Sequence, residues 1–255
     1  MPSIRHITVL RCGPKGSHTG QDQVAVEEPL EIRLDGHPVA IVMRTPGHDE
    51  ELVAGFLVTE GIISSAGQIR KIEARPDENR VLVFLQDHVH TDLGRLTRHV
   101  FSASSCGLCG KTTLEAIFTH SPPIQSRPTI PDEALLAAPA QLRAAQSVFD
   151  STGGLHAAGI FDLDGQLLFS REDVGRHNAV DKVIGHALLN GIDLSNSFLL
   201  VSGRLSFEIL QKSLAARIPI VAGISAPSSM AVDFASKSGQ ELIGFLRPPT
   251  FNRYC

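Results

Sequence analysis

A chain of 255 residues with 42% hydrophobic and 20% charged side chains can bury a full core, as one large domain or two small ones. Its net charge of -4 argues against a broad nucleic-acid or polyphosphate surface, and no apolar run approaches the ~20 residues of a membrane span. Met1 to His6 lacks the apolar core of a signal peptide, and four cysteines in so core-rich a chain do not form a disulfide framework; a cytoplasmic protein is expected, with neither nucleic acid nor membrane as partner.

Residues 1–28 mix glycine, proline and charge without periodicity and predict an extended lead-in. Pro29–Leu34 and Pro38–Arg44 flank Asp35-Gly36 as the arms of a β-hairpin. Thr45-Pro46-Gly47-His48 ends it, and residues 49–60 place Leu52, Val53, Phe56 and Leu57 at helical spacing behind an acidic first turn, with Gly61 as the stop: an amphipathic helix. Ile69–Ala74 and Arg80–Leu85 predict a second pair of strands. Residues 29–120 thus form a β-rich part that ends in a loop with two cysteines. A proline-rich linker, 121–131, follows, then a helical stretch over 132–149 interrupted at Pro139.

Beyond it the rhythm changes. Leu155–Phe161 and Gln166–Ser170 flank an Asp164-Gly165 turn. Helix 173–189, strand 198–202, helix 205–217, strand 219–225, helix 228–237 and strand 241–246 then alternate, which predicts α/β layering with some parallel strands over 132–255.

Ser104-Ser105-Cys106-Gly107-Leu108-Cys109-Gly110-Lys111 puts two thiols three positions apart in a small, polar stretch. Such a pair clamps a metal, cycles as a dithiol, or carries an extra sulfur as a persulfide. Gly107 and Gly110 allow a bendable loop, and Lys111 favours thiolate. A structural zinc site needs four ligands; no second CxxC or close histidine pair is present, so His120, His156, His177 or Cys12 would have to complete it through folding. His156-Ala157-Ala158 has alanine where a zinc deaminase needs its glutamate. The 105–112 stretch lacks the first glycine and the leading strand of a phosphate-binding loop. A dithiol oxidoreductase stays open, although the chain before Cys106 is not a buried strand.

Arg171-Glu172-Asp173-Val174-Gly175-Arg176-His177-Asn178 opens the helix at 173–189, with Asp173 as its N-cap, and holds more polar groups than a cap requires. Leu199-Leu200-Val201 into Ser202-Gly203-Arg204, and Ile220-Val221-Ala222 into residues 223–229, are strands that give way to helices through small residues. With Thr152-Gly153-Gly154 and Arg247, they predict a phosphorylated, nucleotide-sized ligand at one sheet edge.

Together, Arg44-Thr45-Pro46-Gly47 with Glu60-Gly61, the CxxC, the 171–182 block, Val201-Ser202-Gly203-Arg204 and Gly244-Phe245-Leu246-Arg247 resemble the FdhD family of formate dehydrogenase accessory sulfurtransferases, from about Glu28 to the end. The resemblance implies a cytidine-deaminase-like three-layer α/β core with an additional N-terminal β-rich part. It implies a homodimeric sulfur carrier that takes sulfur from a cysteine desulfurase and passes it to molybdenum in the bis(molybdopterin guanine dinucleotide) cofactor, destined for formate dehydrogenase. Cys106 would carry the persulfide and Cys109 assist transfer; no resident metal is implied. The family's cofactor-binding stretch falls on Phe245, Leu246, Arg247, Pro248, Pro249 and Thr250, where Pro248-Pro249-Thr250 replaces the expected glycine and polar residues. A thiol-disulfide oxidoreductase and a non-catalytic cofactor chaperone are the alternatives.

Overall fold

In the computed structural model, which describes residues 2–89 and 114–255, Ile4–Gly13 (β1) and Gly16–Ala25 (β2) pair as an antiparallel ribbon, in register from Ile4 opposite Ala25 to Gly13 opposite Gly16. This replaces the lead-in without periodicity. Most side chains on both faces of the ribbon are exposed, so no buried side imposes the alternation by which a strand is read.

Glu28–Leu34 (β3) and His37–Arg44 (β4) form the expected hairpin, and Asp35 and Gly36 take the φ values of 48° and 84° that a two-residue turn needs. Ile69–Arg75 (β5) and Arg80–Leu85 (β6) complete a four-stranded sheet in the order β4-β3-β6-β5, with β6 parallel to β3. Leu30, Ile32 and Leu34 alternate with more exposed residues, as do Val81, Val83 and Leu85, and give the sheet one apolar face.

Asp49–Thr59 (α1) joins the apolar cluster on that face. The sequence predicts an amphipathic helix; the structure buries Leu52, Val53, Ala54, Gly55, Leu57, Val58 and Thr59, because the helix Arg176–Leu189 covers the other side of α1. The two helices meet backbone to backbone: a Cβ on Gly55 would lie 1.9 Å from the Asp181 carbonyl oxygen, and one on Gly185 1.8 Å from that of Glu51.

The remaining helices are Leu114–His120 (α2), Asp132–Ala144 (α3), Ser147–Thr152 (α4), Arg176–Leu189 (α5), Phe207–Ala215 (α6) and Ser229–Ser238 (α7). They surround a six-stranded sheet of His156–Asp162 (β7), Leu167–Asp173 (β8), Ser197–Val201 (β9), Ile220–Gly223 (β10), Glu241–Arg247 (β11) and Thr250–Arg253 (β12), ordered β12-β11-β10-β9-β7-β8. The central β9, β10 and β11 are parallel, and β7, β8 and β12 run antiparallel to their neighbours. Alternation along β9 sorts the two faces. Phe198 and Leu200 join Ala134, Leu135, Ala138 and Leu142 of α3, while Leu199 and Val201 join Val180, Val183 and Ile184 of α5 in the cluster that continues through α1 to the smaller sheet. Helices on both faces of a mixed sheet with a parallel centre make this an α/β protein.

Two boundaries differ from expectation. Helix α3 runs through Pro139 and ends at Ala144, since burial of Ala138 and Leu142 against the sheet holds the turn on either side of the proline. Strand β8 extends to Asp173, so α5 starts at Arg176 with Gly175, not Asp173, as its N-cap. Among the described residues no helix is long and apolar enough to cross a membrane.

Candidate functional site

The C-terminal ends of β9, β10 and β11 share one edge with the start of β7, because β7 runs the other way. Main-chain bonds lock these ends together. Ser202 N–H donates to Ala157 O, Ile224 N–H to Val201 O and Phe245 N–H to Ser225 O, at 2.9–3.1 Å. The Ser202 hydroxyl accepts from Ala157 N–H at 2.9 Å, and Arg247 Nε donates to Ile224 O at 2.9 Å. Gly203 sits where only a hydrogen fits comfortably: a Cβ there would be 3.2 Å from His156 Nδ1 and 3.4 Å from Arg176 Cδ. His156, Gly203 and Arg176, from three elements, therefore meet at the strand ends.

The polar density of the 171–178 block divides into ties and open groups. Arg171 grips Glu51 of α1 through Nε and Nη2 at 2.5 and 2.7 Å. Glu172 accepts the main-chain N–H groups of Val148 and Phe149 at the start of α4. Asp173 is fully buried; it accepts from Thr45 N–H, Gly175 N–H and Asn178 Nδ2 and pairs with Lys182 at 2.7 Å. Asn178 also donates to Met43 O. These side chains weld β4, β8, α1 and α5 together. The two left for the site are Arg176 and His177.

His177 Nε2 lies 3.3 Å from Ser206 Oγ and 3.9 Å from Glu208. Burial, reinforced by the charges of Arg176 and Lys212, outweighs Glu208 and Glu60 and brings its pKa down to about 4, so the imidazole is neutral at neutral pH. Burial would raise the Glu208 carboxyl, but hydrogen bonds, with that from Ser206 foremost, hold it below its ordinary value. His156 is lowered by burial and then by Arg176 and Arg204, against Asp173. Arg176 Nε is buried and has no hydrogen-bond partner. Two neutral histidines and an under-used guanidinium suit an anionic ligand that approaches Arg176 and Arg204.

Behind this corner, on the α3 side of the sheet, is a cleft of about 600 Å³. Leu142, Phe149 and Ile224 are among its walls, and Gly153-Gly154, His156 and Ser202 connect it to the strand ends. The structure thus brings together the Gly153-Gly154 turn and the β9 and β10 junctions that the sequence singled out. The C-terminal stretch lies next to them through Arg247. Phe245 has a φ of 51° and is 40% exposed, whereas the Leu246 side chain is 0% exposed within the core, so only its main chain can meet a ligand. Pro248-Pro249 forms the turn into β12, and Thr250 begins that strand.

Cys106 and Cys109, with Lys111, lie outside the described residues. Cys12 is exposed near the tip of the ribbon and Cys255 is half-buried at the C-terminus. Among the described residues no group of three or more His, Cys, Asp or Glu side chains is arranged to hold a metal. Sequence reasoning quoted Thr45 and Lys182 within motifs but missed that they pair with Asp173, and it missed a buried cluster in which Lys212 Nζ meets Thr59 Oγ1, Glu60 and Asp181. Burial works against the Lys212 charge, but Asp181 and Glu60 outweigh it and raise its pKa. A lysine inside an otherwise apolar helix pattern is the one signal that could have exposed such a pair.

The model of the FdhD/NarQ family matches residues 25–255. A protein named sulfur carrier protein FdhD from Streptomyces avermitilis is 48% identical over 262 aligned positions, covering 96% of this chain and 92% of its own. One of the same name from Saccharolobus solfataricus is 42% identical, covering 98% and 96%. A crystal structure described as a formate dehydrogenase accessory protein from Desulfotalea psychrophila superposes with a TM-score of 0.81 at 27% identity, over 99% of this chain and 97% of that one. The chain belongs to the FdhD/NarQ family.

Proposed function

We propose that this protein is a cytoplasmic sulfur carrier that receives sulfane sulfur from a cysteine desulfurase on Cys106 and delivers it to the bis(molybdopterin guanine dinucleotide) molybdenum cofactor destined for formate dehydrogenase. What supports this reading is membership of a family whose relatives are named sulfur carriers, in a chain that holds the Cys106, Cys109 pair.

In the first step the Cys106 thiolate attacks the outer sulfur of the donor persulfide. A new S–S bond forms on Cys106, the donor S–S bond breaks, and the donor cysteine leaves as a thiolate. In the second, the Cys109 thiolate attacks the Cys106 sulfur and expels hydrosulfide to the metal of the cargo. The Cys106–Cys109 disulfide that remains is reopened by a dithiol reductant. The cargo's phosphates would rest at the strand ends by Arg176, Arg204 and Gly203, with the metal end free to meet the thiols. The metal arrives with the cargo.

Incubation with a desulfurase and cysteine, followed by intact-mass and peptide analysis, should place one added sulfur atom on Cys106 and none in Cys106→Ala. A chain that gains no sulfur, or a Cys106→Ala variant that still supports active formate dehydrogenase, would overturn the carrier role in favour of a cofactor chaperone. Catalytic turnover of protein disulfides that needs both cysteines would instead make it an oxidoreductase.

A further inference from the structure

The β1–β2 ribbon contributes no residue to the site at the strand ends. Each strand is 10 residues long, roughly 34 Å when extended, and the ribbon rests on α4. Its foot is at Ala25, where a Cβ on Gly154 would lie 3.6 Å from the Ala25 methyl. From Thr8 round to Asp22 every residue except Val9 and Gly20 is exposed, Leu10 by 65%. A two-stranded hairpin standing in water is marginally stable without support on one face. Alternation puts Arg5, Ile7, Val9 and Arg11 on one face, and Lys15 follows in the turn. That is an apolar strip with basic ends. Asp22 is the sole carboxylate of the ribbon, and its exposed pair with Arg11, at 3.7 Å, is worth little. Arg5 and Lys15 have no acidic partner among the described residues. The arm is thus basic in a chain whose net charge is -4.

We propose that the ribbon is a docking arm for an acidic surface on the enzyme that receives the cargo, cofactor-free formate dehydrogenase. This rests on the carrier reading above. A second copy of the chain is a poor match, since Glu31, Glu73, Glu78 and Asp132, all partly exposed, already meet arginines or lysines of their own molecule. Position selects among the other partners. α4 carries Phe149 and leads into Gly153-Gly154, which wall the cleft, so a partner held by the ribbon stands beside the strand ends where the cargo would rest. α2, the first described helix after Cys106 and Cys109, packs on the other face of the sheet, Phe118 against Phe234 of α7 with ring centres 5.6 Å apart. The arm therefore serves the recipient of the cargo, not the donor of the sulfur.

The test is binding of purified cofactor-free formate dehydrogenase to the immobilised full-length chain at about 50 and 300 mM salt, with thermal melting of each variant. Wild type should bind more weakly at the higher salt. Arg5→Glu with Arg11→Glu and Lys15→Glu should weaken binding at the lower salt at least about 10-fold, while Arg5→Lys with Arg11→Lys stays within about 3-fold. Lys15→Glu alone, at the exposed turn, should weaken it at least about 2-fold at an unmoved melting temperature, which sets the effect apart from unfolding of the arm. Unchanged affinity in the triple variant, or a wild type that binds no formate dehydrogenase, overturns the inference. So does a wild-type dimer that the triple variant dissociates in light scattering, which would seat a second copy on the arm. A triple variant whose sulfur uptake from the desulfurase slows as much as its enzyme binding would give the arm to the donor instead. Sulfur loading of Cys106 on the same preparations separates the two failures: loading that persists while the triple variant binds like wild type removes only the arm, and arm-dependent binding by a chain that takes up no sulfur removes only the carrier role.

Discussion

Asp173 and Lys182 meet at 2.7 Å with side chains 0% and 1% exposed, a charge pair sealed between the end of β8 and the second turn of α5. Both are saturated with further bonds. Lys182 Nζ donates to Thr45 O at 2.9 Å and Glu172 O at 3.2 Å, and Asp173 Oδ2 accepts from Thr45 N–H. The segment after β4 is thereby stitched to the site helix. Removing one charge strands the other in the interior, so Lys182→Met and Asp173→Asn should each cost about 3–5 kcal/mol. The double variant should lose clearly less than the sum. Urea unfolding of the four proteins checks this, and single-variant losses below about 1 kcal/mol would contradict a sealed pair.

The α1–α5 crossing leads to a second expectation. Because the added methyl of Gly55→Ala or Gly185→Ala would overlap main-chain oxygens at 1.9 and 1.8 Å, the helices must separate and the core between the two sheets must open. Overpacking usually costs about 1–3 kcal/mol, and a clash with backbone belongs at or above the top of that range. Gly67→Ala is the control: its nearest neighbour is Ser65 Oγ at 3.9 Å, and the change should stay within about 0.5 kcal/mol. Equal midpoints for Gly67→Ala and Gly185→Ala would sink the claim.

These glycines show where the sequence stops being legible. The β3–β4 hairpin was readable because Asp35-Gly36 and the alternation of Leu30, Ile32 and Leu34 are local signals, and the parallel strands because each apolar run is bounded by its own turn. The ribbon β1–β2 was not, since neither face is buried enough to alternate. Nor was the burial of α1, which depends on α5 some 120 residues later. At the site, Ser202, Gly203 and Gly153-Gly154 could be picked out as strand-end residues. That Asp173 answers Thr45 and Lys182 rather than capping a helix could not, because those contacts are set by tertiary packing.

His177 carries a pH dependence with a definite sign. In the unfolded chain its imidazole titrates near the ordinary 6.5, whereas in the fold burial and its positive neighbours bring the pKa down to about 4. The unfolded state therefore binds the extra proton between these values. The stabilising contribution is complete above pH 6.5 and is lost as pH falls through about 4. Replacing His177 with Gln should flatten the stability profile across that window, by an amount on the order of 3 kcal/mol at most, and leave neutral pH little changed. Chemical denaturation at closely spaced pH values measures the slope; identical slopes in both proteins would count against a buried neutral imidazole.

Arg176 separates stability from function. Its Nε is buried without a partner, a cost of about 1–3 kcal/mol that nothing in the fold offsets. Arg176→Met keeps the apolar stem beside Gly203 and removes the idle charge, so thermal stability should hold or rise. The same change takes a positive neighbour from both site histidines, which burial chiefly lowers and Arg176 lowers further. Their pKa values should therefore move up together, and titration of the imidazole C–H resonances would follow both. If the guanidinium is there for the phosphates of an incoming dinucleotide, GDP binding should fall by at least about 10-fold in the same variant. A loss of binding alongside a lower melting temperature and unmoved histidines would instead make Arg176 a structural residue, and the anion-binding corner at the strand ends would have to be given up.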